Sequence, residues 1–205
     1  MTGLTEKEAL VAREIIAKGL EKAAESLTFF MNEPITLKDF GNDELLENPP
    51  VELNKKSEDK NIILLTTKVI GELKGVCCLV FSEEEADHLR KASLPPEILN
   101  SPEMMAEMRD GIMLEVDNII SASVITQFSN MLKVKIYGGV PDLKRVNYPE
   151  MENIIQEDIN NELYLISFKT SFESAKVAFN PEFLWLFDQT FIDSIKQYTL
   201  ENENV

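Results

Sequence analysis

Hydrophobic residues in the first half of the chain recur first at helical spacing and then at strand spacing. Residues 6-31 place apolar or small side chains on one helical face behind a threonine that can cap the start, which predicts a long helix. Two runs rich in Ile, Leu, Val and Thr, 61-69 and 75-81, flank a glycine-containing turn and predict a β-hairpin. Ser82 and the glutamates after it predict the start of a short helix that ends near Ala92.

Polar and proline-rich segments separate these elements. Pro49, Pro50 and the charged cluster 54-60 predict a loop between the first helix and the hairpin. Pro95 and Pro96 close the first half, and the order of elements then starts again.

The second half opens on a helix start signal. Ser101, Pro102 and Glu103 predict an N-cap, a proline in the first turn and an acidic residue after it, and the helix is predicted to reach about Leu132. The remaining predictions are a strand at 133-137, an irregular polar segment, strands near 162-172 and 175-179, and a final helix that starts at Asn180, Pro181 and Glu182 and contains Phe183 and Phe191.

The repeated order of elements predicts an internal duplication. A shift of about 101 residues superposes the two long helices, and a shift of about 98 superposes Phe81 on Phe179 and Leu89 on Phe187. With 205 residues and 44% hydrophobic content, the chain suits one sizeable core. We therefore predict a single α+β domain over 1-205, built from pseudosymmetric duplicated units. The units, about 6-93 and 102-198, share one β-sheet with the two long helices packed on it.

Charge and hydropathy exclude some classes of partner. The net charge of −16, from 36 acidic and 20 basic residues, would repel nucleic acid. No run approaches the roughly 20 apolar residues of a membrane span, and the first residues lack the basic start and apolar core of a secretory signal. We therefore predict a cytoplasmic protein that binds neither nucleic acid nor membrane.

Metal sites and common catalytic motifs are not evident in the sequence. Cys77 and Cys78 are adjacent in a predicted strand, so their side chains point to opposite faces and no disulfide is expected between them. His88 is expected on a helix surface, and no CxxC or HxxxH spacing is present for zinc. Glycine-rich phosphate loops, GxSxG elbows and dinucleotide fingerprints are also missing. We therefore predict no cofactor of the protein's own.

The long helix of the second half has one apolar face and one small, polar face. Advancing about 100° per residue from Met113 gathers the apolar side chains within about 60°, which predicts the buried face. The opposite face holds a carboxylate and an amide one turn apart, Glu115 and Asn118, among small residues that let another protein approach closely. The buried set is Met113, Val116, Ile120, Val124 and Met131, and the opposite set is Gly111, Glu115, Asn118, Ala122 and Ser129, with Ser121 nearby.

The wider spacing around this pair resembles the signature of the CheC, CheX and FliY chemotaxis phosphatases. That signature is an Asp or Ser, three residues, Glu, two residues, Asn, twenty-two residues and Pro. Here Glu115 and Asn118 supply the central pair, and Pro141 follows Asn118 after 22 residues. The chain length and the duplicated order of elements are also similar to CheC, so the resemblance covers essentially the whole chain.

The chain departs from the signature in two places. Gly111 stands where the family has Asp or Ser, and Asp110 beside it is turned about 100° away, so it cannot simply replace that residue. In the first repeat, Glu14 matches the glutamate, but Ala17 replaces the asparagine and Phe40 the proline. We therefore predict one competent site per chain and a degenerate first half-site.

The resemblance implies a phosphatase that accelerates dephosphorylation of a CheY-like response regulator in chemotaxis or related two-component signalling. In this family the asparagine, here Asn118, orients a water, and the glutamate, here Glu115, contacts the regulator's lysine, while Mg²⁺ is bound by the regulator. Two alternatives stay open. One is a non-catalytic adaptor that binds a regulator or the receptor deamidase CheD, and the other is a flagellar switch component, since FliM and FliY share this fold.

Overall fold

A computed structural model of the chain describes residues 4-40, 61-160 and 164-202. The predicted loop with Pro49, Pro50 and 54-60 lies outside them. Within these ranges the helices are α1 Glu6–Met31, α2 Glu83–Ser93, α3 Pro96–Leu99, α4 Pro102–Leu132, α5 Tyr148–Asn160 and α6 Gln189–Asn202. The strands are β1 Thr36–Phe40, β2 Ile62–Gly71, β3 Gly75–Ser82, β4 Ile136–Gly138, β5 Asp142–Val146, β6 Tyr164–Glu173, β7 Ala178–Phe179 and β8 Glu182–Phe187.

The predicted helix starts are confirmed by their capping contacts. Thr5 and Ser82 each form a capping box at the start of α1 and α2, with the glutamate at the third helical position bonding back to the cap. Ser101 caps α4, and Pro102 occupies the first helical position, where its missing N–H costs no hydrogen bond. Local sequence therefore sets where these three helices begin.

One antiparallel sheet joins the two halves of the chain. Its strand order is β1-β6-β8-β3-β2-β4, and β5 and β7 pair with β2 and β6. The central pairing is β3 with β8, where Cys77 lies opposite Trp185. Strands from before and after α4 thus meet at the middle of the sheet, so α4 can rest on strands of both halves.

The two long helices pack on one face of this sheet, as predicted, and the α+β class is confirmed. A Cβ added to Gly19 of α1 would come within 2.6 Å of the Val124 Cα of α4, so the two helices cross at a contact that only glycine allows. Side chains from alternate strand positions pack beneath the two helices and form the larger hydrophobic core. This layer contains Ile63, Leu65, Leu79, Phe81, Phe183, Trp185 and Phe187.

A third layer covers the other face of the sheet. Met151 and Ile155 of α5 are buried there against Leu64, Leu184 and their neighbours. Burying each of these α5 side chains contributes on the order of 1.5–3 kcal/mol, which is what attaches the short helix. The sequence did not predict this layer.

The predicted start of the final helix at Asn180, Pro181 and Glu182 is wrong. Glu182–Phe187 form strand β8, and the helix starts only at Gln189. Because β8 is buried on both faces, its residues are almost continuously apolar, and such a run does not show the alternation that distinguishes a strand from a helix. The shift that matched Leu89 to Phe187 is wrong for the same reason, since it places a residue of α2 on a residue of β8.

The segment after α4 also differs from its prediction. The strand predicted at 133-137 begins only at Ile136, because Lys133 ends α4 in a left-handed conformation with φ 57°. The segment predicted to be irregular contains β5 and α5, and β1 was not predicted. β5 is mostly exposed and lacks strand periodicity, so its conformation comes from pairing with β2.

A cap signal for α5 was present in the sequence. The Asn147 side chain accepts from the Glu150 N–H at 2.9 Å, and the Glu150 carboxylate accepts from the Asn147 N–H at 3.0 Å. This reciprocal pair is a capping box built on asparagine. The Asn147 and Glu150 spacing in the sequence was therefore a signal for the start of α5.

The cysteines and the histidine lie where the sequence places them. Within the described part of the chain Cys77 and Cys78 form no disulfide, and both are buried, Cys77 facing the long helices and Cys78 facing α5. His88 is exposed on α2, as predicted. No helix in the described ranges is long and apolar enough to cross a membrane.

Candidate functional site on helix α4

Helix α4 presents Glu115 and Asn118 to solvent, as the helical arithmetic predicts. Met113, Val116 and Ile120 are fully buried against the sheet and α1, so the opposite face points outward. The two polar residues are three positions apart, a rise of about 4.5 Å along the helix axis. The exposed residues on this face are Gly111, Glu115, Asn118 and Ala122.

Both polar side chains are free to meet a partner molecule. Across residues 4-40, 61-160 and 164-202, neither the Glu115 carboxylate nor the Asn118 amide has a hydrogen bond or ion pair. By contrast, the exposed Glu14 carboxylate of α1 lies 2.8 Å from the Lys18 ammonium. The glutamate of the predicted first repeat, Glu14, therefore already has an ionic partner, and Glu115 on α4 has none among the described residues.

Pro141 lies in the short link between β4 and β5, half-buried beside strand β2. The link is anchored on both sides of the proline. The Gly139 N–H donates to the Lys68 carbonyl at 2.7 Å, and Asp142 pairs with Thr66. The third element of the signature is therefore held against β2.

A buried carboxylate lies directly beneath the exposed pair. Asp117 is fully buried, and it accepts hydrogen bonds from the Thr67 hydroxyl at 2.6 Å and the Ser121 hydroxyl at 3.3 Å. Burial raises the pKa of Asp117 to about 6, and the two hydroxyls oppose that rise. Burial of the Cys77 thiol itself, together with the charge of Asp117, raises the pKa of Cys77 well above its usual range.

The buried positions of Asp117 and Ser121 differ from what was predicted from the sequence. Asp117 lies about 40° from Met113 on the helix, inside the predicted buried stripe, which was the available signal. Ser121 was placed near the exposed face, but it is fully buried. At about 80° from Met113 it sits at the boundary, and its bond to Asp117 satisfies its hydroxyl inside the protein.

Thr67 connects the exposed pair to the link that carries Pro141. Its hydroxyl holds Asp117, and its methyl would lie 3.3 Å from a Cβ added to Gly138 at the end of β4. Its neighbours Thr66 and Lys68 anchor the link on either side of Pro141. The turn of α4 with Glu115 and Asn118 and the Pro141 link are thus both fixed to the same short stretch of β2.

Asp110 does not supply the side chain that Gly111 lacks. The Arg145 guanidinium of β5 holds the Asp110 carboxylate with both terminal nitrogens, one of them at 3.1 Å, and it lowers the pKa of Asp110. Arg145 also donates to Glu83 at 3.2 Å, which in turn contacts Arg109 at 3.3 Å. This network of partly exposed charges joins β5, α4 and α2 and engages the Asp110 carboxylate in an ion pair that the sequence did not predict.

The Asp117 carboxylate should make folding stability depend on pH. The pKa of Asp117 is about 6 in the folded protein and near 3.8 in the unfolded chain. Its contribution to the free energy of unfolding is therefore largest below pH 3.8 and is lost as the pH rises through 6. The wild type should therefore lose about 2 kcal/mol relative to Asp117→Asn between pH 4 and 7, and rather more than half of that loss, about 1 kcal/mol, should fall above pH 5.

Denaturant unfolding of the two proteins from pH 5 to 7.5 measures this difference. Asp87, Asp110 and Glu33, whose pKa values are lowered by Arg90, Arg145 and Lys176 respectively, act in the opposite direction. Their contributions to stability are the same in the wild type and in Asp117→Asn, so they cancel in the difference between the two proteins. Parallel stability curves would show that Asp117 does not titrate in this range.

Comparison with known proteins shows similarity at the level of structure. No protein-family model and no curated protein matches the sequence. FliY of Thermotoga maritima superposes with a TM-score of 0.67 at 15% identity, covering 97% of this chain and 98% of that one. The FliM middle domain of Vibrio alginolyticus gives 0.57 at 12% identity, covering 93% and 99%.

A complex also occurs among the similar structures. CheX of Borrelia burgdorferi, in its complex with CheY, BeF₃ and Mg²⁺, gives a TM-score of 0.50 at 16% identity, covering 83% of this chain and 96% of that one. The order of helices and the central antiparallel sheet of this chain are therefore those of the fold shared by FliY, CheX and the FliM middle domain.

Proposed function

We propose that this protein accelerates dephosphorylation of a CheY-like response regulator, with Asn118 orienting the attacking water and Glu115 pairing with a lysine of the regulator. The observation that supports this most is the free, exposed Glu115 and Asn118 pair, which lies among small residues on α4. Pro141 completes the spacing and is held against the same part of β2.

The chemistry of an aspartyl phosphate explains why an amide suits this role. The regulator already stabilises the charge of the phosphoryl group with its own Mg²⁺ and lysine, so what self-hydrolysis lacks is a well-placed water. A carboxamide both donates and accepts hydrogen bonds and carries no charge, so Asn118 can aim a water without repelling the phosphoryl oxygens. This chain would supply positioning, and the regulator would supply the metal.

Glu115 is better suited to binding than to base catalysis. A carboxylate beside the phosphoryl group would meet repulsion, but one turn away it can pair with a cation of the regulator. CheX, which shares this fold, forms a complex with CheY. That complex supports a CheY-like regulator as the class of partner.

A second candidate is a non-catalytic member of the same fold. FliM middle domains share the architecture over 93% of this chain, and Gly111 lacks the side chain that the phosphatase signature has there. Such a protein would bind a regulator or a CheD-like deamidase, or would assemble into a flagellar switch, without turnover. Binding without acceleration of phosphate loss would favour this candidate.

The test is a dephosphorylation assay on the regulators of the same genome. Each regulator is phosphorylated with a small acyl phosphate, the donor is removed, and the remaining aspartyl phosphate is followed with and without the protein. We expect the protein to accelerate loss of the aspartyl phosphate from at least one regulator in the presence of Mg²⁺. If no regulator is dephosphorylated faster, phosphatase activity is wrong.

Restoring the missing signature side chain should raise activity. A Cβ added to Gly111 meets nothing within 4 Å, so Gly111→Asp and Gly111→Ser fit without displacing a neighbour. We expect kcat/KM for the regulator to rise about two- to tenfold, equivalent to about 0.4–1.4 kcal/mol.

The matched control is Gly111→Ala, which removes the same helix flexibility without adding a polar group. An equal gain from alanine would show that the effect comes from helix stability and that no contact to the regulator is restored.

A further inference from the structure

Asp117 is the buried carboxylate at the junction between α4 and the sheet. It lies between Glu115 and Asn118 in sequence, but its side chain points the opposite way, into the protein. Its hydrogen-bond partners are the hydroxyls of Thr67 on β2 and Ser121 on α4, and the titratable group that faces it is the Cys77 thiol of β3. No cation of the described residues is among the groups that shift its titration.

Keeping a carboxylate in this position is unfavourable for folding. Apart from its partner Ser121, the neighbouring buried positions of α4 are apolar, among them Met113, Val116 and Ile120. An apolar side chain would fill this position without loss of solvation, whereas a buried carboxylate is destabilising unless its hydrogen bonds compensate. The carboxylate provides a directional contact, because its short hydrogen bond to the Thr67 hydroxyl fixes one turn of α4 to one residue of β2.

We propose that Asp117 is a positioning residue for the proposed phosphatase site, which sets the rotation and depth of the α4 turn that presents Glu115 and Asn118. This inference rests on the proposed function. A helix with side chains has a radius of roughly 5–6 Å, so rotating α4 by about 10° would move the Asn118 amide by about 1 Å. A misplacement of that size can lower a reaction rate by about 100-fold.

The ionised and protonated forms of Asp117 do not hold α4 equally. The carboxylate accepts from both Thr67 and Ser121 in charge-assisted hydrogen bonds. The acid donates its own proton to one of these hydroxyls, which reverses that bond, and both bonds then join neutral groups and are weaker. With a pKa of about 6, the ionised fraction falls about fourfold from pH 7.5 to 5.5. Turnover should fall with it.

The experiment changes the buried contact and leaves the exposed face intact. Thr67→Val keeps the shape of the side chain but removes the hydroxyl that binds Asp117, and Asp117→Asn removes the titration. Thr199→Val is the control, since Thr199 is also buried but bonds only within α6, to the Ile195 carbonyl at 2.9 Å. Steady-state kinetics on a phosphorylated CheY-like regulator give kcat and KM for each protein from pH 5.5 to 7.5.

The expected result separates positioning from binding and from folding. Thr67→Val should lower kcat about tenfold with KM within twofold of wild type, and Thr199→Val should change neither. The ratio of wild-type kcat to Asp117→Asn kcat should fall about fourfold on acidification to pH 5.5. A role in stability alone would leave kcat unchanged in every protein that is folded at the assay temperature, as judged by circular dichroism.

Failure of this inference can be told apart from failure of the proposed function. If the wild type accelerates dephosphorylation but Thr67→Val keeps its kcat and the pH ratio is flat, the positioning role is overturned and the function stands. If the wild type accelerates nothing, both are overturned. Should Asp117→Asn not fold, the Thr67→Val result decides alone.

Discussion

Asn118→Ala should reduce the acceleration of regulator dephosphorylation by about 100-fold or more and leave the fold unchanged. The amide is exposed and has no partner within the described ranges of the chain, so removing it takes nothing from the core. What is lost is the group that would hold water in line with the phosphorus–oxygen bond. Because the amide acts on the water, regulator affinity should change far less than turnover.

Asn130→Ala is the matched control for this substitution. Asn130 is also exposed on α4 but lies about 120° around the helix from Asn118. Its rate should equal that of the wild type, and the melting temperatures of the two variants should agree within a few degrees. Equal dephosphorylation rates for Asn118→Ala and the wild type would refute the water-orienting role.

Much of this site follows from the periodicity of one helix. The apolar positions Met113, Val116 and Ile120 fix which face of α4 is buried, so the exposure of Glu115 and Asn118 follows from about 100° per residue. The starts of α1, α2 and α4 could also be predicted from the sequence, because an N-cap residue and the first helical turn lie within four adjacent residues. Signals that are local in sequence were therefore recovered.

Features that depend on contacts between residues distant in sequence were not predicted. β8 is a strand because β3 and β6 pair with it on both sides, and its own apolar run is ambiguous between strand and helix. The role of Thr67 is invisible in the sequence because its contact with Asp117 spans 50 residues. The sequence indicates Pro141 only through the spacing of the family signature, and the pairing of β5 with β2 shows what holds it in place.

The first half-site remains a prediction that the structure makes more specific. Glu14 is exposed on α1 as expected, but Lys18 engages it at 2.8 Å, and Ala17 offers no amide for a water. An exposed ion pair of this kind contributes little to stability. It does, however, occupy the carboxylate that a regulator would have to pair with. We therefore expect one regulator to be processed per chain.

Glu115→Lys should weaken regulator binding by about 100-fold or more, whereas Glu115→Ala should weaken it by about tenfold. Alanine only removes the attraction to the regulator's lysine. Lysine places two like charges in a contact from which water is excluded, and such repulsion costs several kcal/mol. Neither change should unfold the protein, since Glu115 is exposed and has no ion pair among the described residues.

Binding to the regulator saturated with BeF₃⁻ and Mg²⁺, measured by titration calorimetry, separates these variants without depending on turnover. Glu14→Lys on α1 is the matched control, because it makes the same change in net charge at an exposed glutamate that the predicted duplication matches to Glu115. It should bind like the wild type if the effect of Glu115→Lys comes from a direct contact. If Glu14→Lys weakens binding as much, the change reflects the overall field of a chain with a net charge of −16, and Glu115 does not face a cation.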